Sequence, residues 1–100
     1  MIPGMPAYLI VTTDIHDPEA YDRYKAAVPA FIRKHGGEYL ARGGAVEIFE
    51  GTWMPPRIVL LRFPSMAHIR AFLDDPEYSP WKALRHSAAE TNLVGVEGLA

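Results

Sequence analysis

The side chain best suited to recognition in this sequence is Arg42. A guanidinium is planar, always charged and able to grip a carboxylate through two parallel hydrogen bonds. Glu47 follows five residues later and could serve as a general base if burial raised its pKa. Paired instead with Arg42 or Arg62, it would be held ionised and poor at that task. Trp53 lies beside prolines, in a segment where a ring could close over a flat ligand. Tyr24 falls on a helical stripe, where a buried hydroxyl must find a partner. Arg42, Glu47, Trp53, Tyr24 and Arg62 are therefore the candidate ligand-binding set, with Glu47 the weak candidate for catalysis. Each has a plainer reading as well: Arg42 and Glu47 as an ion pair, Tyr24 as a core residue, Trp81 as core or interface.

Other chemistries lack the residues they need. His16, His35, His68 and His86 are scattered, with no i, i+4 pair and no HExxH, so no metal site is expected. Gly43-Gly44 resembles a phosphate loop only superficially, since no Lys-Ser/Thr follows and the chain enters a strand pattern. The absence of cysteine removes thiolate nucleophiles, disulfides and cysteine-based metal centres, and suits a reducing, cytoplasmic setting. No cofactor is expected. A net charge of −2 lacks the basic excess of a nucleic-acid binder. No apolar run approaches the ~20 residues of a membrane span, and residues 1–4 do not read as a signal peptide.

One hundred residues make a single domain. Residues 7–13 and 58–63 read as strands. Both carry consecutive aliphatic residues, and successive strand side chains point to opposite faces, so both faces need cover. Asp17-Pro18-Glu19 opens a helix with a cap, a first-turn proline and an acidic first turn. Its stripe is Tyr21, Tyr24, Val28, Phe31 and Ile32; Pro29 should bend it and Gly36-Gly37 end it. Residues 38–42 and 45–49 are expected to form a hairpin about Gly43-Gly44, with Arg42 and Glu47 as diagonal neighbours. A loop over 51–56 follows. Ser65 caps a helix with Ile69, Phe72 and Leu73 inside; Ser79-Pro80 starts another, and 92–97 is the last strand.

This order gives an α+β fold, the ferredoxin-like β-α-β-β-α-β plan with an antiparallel sheet and an extra hairpin strand. One layer of helices covers one sheet face. The apolar second face then calls for a second copy, so a homodimer is expected. The pocket is expected near the hairpin and the first helix, for a small acidic or carbonyl compound. A cofactor-independent enzyme and a non-catalytic binding or assembly module are both open readings.

Several segments carry a resemblance. These are 7–11 (AYLIV), 17–21 (DPEAY), 37–44 (GEYLARGG), Glu47, Glu50-Gly51 and Trp53, then Phe63-Pro64-Ser65, Pro76-Glu77-Tyr78, Leu84-Arg85 and Glu97-Gly98. In that order and spacing the chain resembles the DUF1330 family, within the dimeric α/β-barrel group of ferredoxin-like proteins. The resemblance implies the same fold and a dimer, and relatives in the wider group include cofactor-free monooxygenases and isomerases. Arg62 stands where the family often has an acidic residue, so the resemblance gives no carboxylate at that position.

Overall fold

The computed structural model describes residues 5–99; residues 1–4, read above for a signal peptide, lie outside it. The elements are β1 (Ala7–Ile15), α1 (Pro18–Lys34), β2 (Glu38–Arg42), β3 (Ile58–Phe63), α2 (Met66–Asp74), α3 (Ser79–Ala88) and β4 (Ala89–Glu97). The strands form one antiparallel sheet in the order β2-β3-β1-β4, as the ferredoxin-like plan requires.

Local chemistry sets the helix ends. Asp17 Oδ1 accepts from the amide of Ala20 at 3.1 Å, satisfying a first-turn donor of α1. Gly36, at φ +79°, closes α1 in the left-handed region that glycine enters without strain. Ser65 caps α2 by accepting from the amide of His68. Pro29 lies inside α1, which continues through it as one helix.

The helices cover one face of the sheet. On that side Ala7, Leu9, Val59, Leu61 and Phe63 are buried beneath Tyr21, Tyr24, Val28 and Ile32 of α1 and Ile69 and Phe72 of α2. Tyr78, between α2 and α3, is fully buried and ties the helices together; its ring centroid lies 4.5 Å from Phe72, 5.6 Å from Phe31 and 6.3 Å from Tyr24. The opposite face carries Ile10, Leu60 and Val94 directly abreast on three adjacent strands. Val94 is 60% exposed and Val96 48%. The double-sided apolar pattern of the middle strands is thus half satisfied within the chain.

The expected hairpin does not form. Residues 45–49 are not a strand but part of a loop over 43–57, and β2 pairs with β3 instead. A tight two-residue turn of the favoured type needs positive φ at both central residues. Only Gly43 has it, at +71°, and its amide donates to the carbonyl of Ile58 at 2.9 Å, extending the β2–β3 ladder. Without the hairpin Arg42 and Glu47 are not cross-strand neighbours, and among the described residues Glu47 forms no ion pair.

A cationic cleft under the first helix

A bulge in β2 decides where Arg42 points. Tyr39 stands opposite Leu61, but Ala41 is opposite Leu60 and Arg42 opposite Val59, so Leu40 is the extra residue. Simple alternation would put Tyr39 and Arg42 on opposite faces. The bulge puts both on the helix side, with Leu61 and Val59. The Arg42 guanidinium lies 4.6 Å from the centroid of the Tyr39 ring and donates to the backbone carbonyl of Lys25 at 2.7 Å.

Beside these groups a narrow cleft, partly open to solvent, lies between α1 and the sheet. Leu9 and Val11 of β1, Val59 and Leu61 of β3 and Val28 and Ile32 of α1 give it an apolar interior. Its polar groups are Tyr21, Tyr24, Tyr39, Tyr78, Lys25, Arg42, Arg57 and Arg85. Four cations therefore line the cleft, and among the described residues no Asp, Glu or His does.

Arg85 is the least expected of them. It is 4% exposed, its Nη1 donates to Thr91 Oγ1, and among the described residues its Nε finds no hydrogen-bond partner. Arg57, half-buried, also has a buried Nε without a partner. Among the described residues neither guanidinium has a carboxylate within 4.0 Å, although buried charges are ordinarily paired. The Arg57 guanidinium packs where a side chain at Gly43 would stand, since a Cβ there would lie 2.2 Å from its Nη1. The absence of a side chain at Gly43 thus makes room for Arg57.

Tyr24 and Tyr78 share a hydroxyl–hydroxyl hydrogen bond of 2.6 Å inside the protein. Burial first, and then the neighbouring Tyr78, push the Tyr24 phenol far above its ordinary value, so it stays neutral. Burial likewise raises Tyr39, opposed by the Arg42 charge. These phenols are donors, not bases, at physiological pH.

Of the five residues expected from the sequence, the structure brings Arg42 and Tyr24 to this cleft. Arg62 lies on the other sheet face, 3.7 Å from Glu38. Trp53, 70% exposed, stands with Met54, Pro55 and Pro56 along a separate groove beside Thr12 and Glu90. Glu47 is exposed on the loop. Sequence reasoning missed Arg57, Arg85 and Tyr78 as cleft residues. A signal existed for Arg85: it falls between Trp81 and Ala88 on the inner stripe of α3. None existed for Arg57, whose position depends on the β2–β3 pairing. The described residues also hold no group of three or more His, Asp or Glu able to bind a metal, and no helix long and apolar enough to cross a membrane.

The sequence profile described as Domain of unknown function (DUF1330) matches residues 6–99. The chain belongs to the DUF1330 family. No curated protein matches it. Among solved structures, a protein of unknown function from Rhodopseudomonas palustris is similar at TM-score 0.77 and 18% identity, over 96% of this DUF1330 chain and 84% of that one. SnoaB, a cofactor-independent oxygenase from Streptomyces nogalater, is similar at TM-score 0.66 and 11% identity, over 97% and 96%. A dimeric ferredoxin-like protein of unknown function from Thermobifida fusca is similar at TM-score 0.67 and 16% identity, over 98% and 95%. These likenesses establish the ferredoxin-like fold of the DUF1330 chain.

Proposed function

We propose that this protein binds a small organic anion, most simply a carboxylate, in the cleft under α1. The observation that carries this reading is a pocket lined by Lys25, Arg42, Arg57 and Arg85, with no acidic residue among its described lining, in a chain of net charge −2. A bound carboxylate would accept charge-assisted hydrogen bonds from guanidinium groups that, among the described residues, have no carboxylate partner. The apolar interior would take its carbon skeleton.

The reading includes a homodimer in a reducing, cytoplasmic setting. Pairing of the open faces would cover Ile10, Leu60 and Val94, and should bury at least ~800 Å² per partner. The similar protein from Thermobifida fusca is itself described as dimeric. Binding without catalysis is favoured because the described cleft lining supplies no Asp, Glu or His as a base, and burial raises the phenols of Tyr24 and Tyr39. A cofactor-independent reaction through Glu47 would need the 43–57 loop to deliver that carboxylate; Glu47→Gln should then abolish turnover but not binding.

A thermal-shift screen with benzoate, phenylacetate and short alkyl carboxylates tests the proposal. At least one should raise the melting temperature, less so at high salt, and Arg42→Ala should weaken the response in a variant whose circular dichroism matches the native chain. No shift with any carboxylate at tens of millimolar would overturn it.

A further inference from the structure

The guanidinium groups of the cleft form two sets, packed against the two edge strands of the sheet. Arg85 reaches in from α3 and is bonded to Thr91 of β4. Arg57 lies against Gly43 at the end of β2, with Arg42 next to it in sequence. β2 and β4 are the two edge strands, three spacings apart, or about 14 Å at ~4.8 Å per spacing. Arg57 lies over the Tyr21 ring and Arg85 over the Tyr24 ring, each 5.9 Å from its centroid, and the two centroids are 5.6 Å apart. Among the described residues, each set contains a buried Nε–H without an acceptor.

We propose that the ligand has two anionic ends, and that the class this cleft takes is a small dicarboxylate with an apolar middle. The inference rests on the anion-binding reading above. One carboxylate placed at either set would leave the guanidinium charge of the other without a counter-charge in the cleft. A dicarboxylate lying across the Tyr21 and Tyr24 rings satisfies both and sets its carbon chain on the apolar sheet face. The inner end has a further donor. Tyr24 and Tyr78 have two hydroxyl protons, their mutual bond uses one, and among the described residues the other has no acceptor. A carboxylate at Arg85 can take it.

Isothermal titration calorimetry on the native chain tests this with straight-chain α,ω-dicarboxylates of four to eight carbons. Each is compared with the monocarboxylate of equal length at fixed ionic strength. One dicarboxylate is expected to bind at least tenfold more tightly than its partner acid. Arg57→Gln and Arg85→Gln should each bring that ratio to within twofold. Should either glutamine variant fail to fold, Arg57→Lys or Arg85→Lys should keep the charge and only part of the preference. Measurable but equal affinities for matched acids would overturn the two-ended ligand and leave the anion-binding reading standing. Undetectable binding of every acid would overturn both.

Discussion

Arg85→Met should stabilise the free protein and abolish its response to carboxylates. The residue is 4% exposed, carries a full charge without a carboxylate partner among the described residues, and leaves its Nε–H unbonded. An unsatisfied buried donor costs about 1–3 kcal/mol, and desolvating an ion costs several more. Against this, the bond to Thr91 contributes roughly 1.5–3 kcal/mol as a hydrogen bond to a charged group. Methionine matches the length of the aliphatic stem and is flexible enough to refill the space. Thr91 is only partly buried, so its hydroxyl can turn to water. These terms favour methionine by at least about 1 kcal/mol, a rise of at least roughly 4–8 °C in Tm for a domain of this size. Ligand acts in the opposite direction. A carboxylate at a hundred times its Kd stabilises the native chain by about 2.7 kcal/mol, and the variant should show almost none of that. Differential scanning calorimetry with and without benzoate reads both effects. A drop in Tm of the unliganded variant by more than about 4 °C would mean that the fold itself compensates the Arg85 charge, and the reasoning would fail.

The tyrosine pair should behave as a coupled unit. Tyr24→Phe or Tyr78→Phe alone leaves one buried hydroxyl unpaired, costing about 1–3 kcal/mol, whereas the double variant should recover much of that loss in urea titrations; strictly additive costs would contradict the pairing. Gly43→Ala forces a Cβ to within 2.2 Å of Arg57 at φ +71°, so it should lower stability by about 1–2 kcal/mol and also reduce carboxylate affinity; unchanged affinity would separate Arg57 from binding. Asp75 accepts from Lys34 at 2.7 Å, and its carboxylate also lies 2.8 Å from the His35 ring, and these bonds hold it below its ordinary value of 3.8. Its contribution is therefore present above pH 3.8 and is lost as pH falls below that towards the folded value, so Asp75→Asn should flatten the decline of stability between pH 4 and 2; an unchanged acid profile would contradict this. Leu60→Glu or Val94→Glu places a charge on the open sheet face; sedimentation should give the mass of two chains for the native protein and of one for either variant, and a native protein of one-chain mass would contradict the proposed dimer.

The fold was readable because its signals are local and redundant. Asp17-Pro18, Gly36 and Ser65 mark helix ends, and the aliphatic runs of β1 and β3 mark the middle of the sheet. The hairpin was misread because Gly43-Gly44 carries turn chemistry whether or not residues 45–49 return alongside. What decided it was β3, a more apolar partner lying farther along the chain. The site was only partly legible. Arg42 and Tyr24 were visible as types, yet period-two alternation puts Arg42 on the wrong face of β2, because one bulged residue inverts the pattern and leaves no mark in the sequence. Arg57 could not be found at all, since its role arises from packing against Gly43 across two strands. Glu47 and Trp53 stand out in the sequence for their chemistry alone, and the loop that carries them holds both away from the cleft.

A crystal structure of the native chain grown with a tight-binding small carboxylate is the most direct measurement. A carboxylate oxygen within hydrogen-bonding distance of the Arg85 or Arg57 guanidinium, with the carbon skeleton against Leu61 and Val59, is the expected result. Carboxylate density found only at exposed lysines or arginines, with the cleft left to water, would contradict the proposal that this protein is built to hold an organic anion.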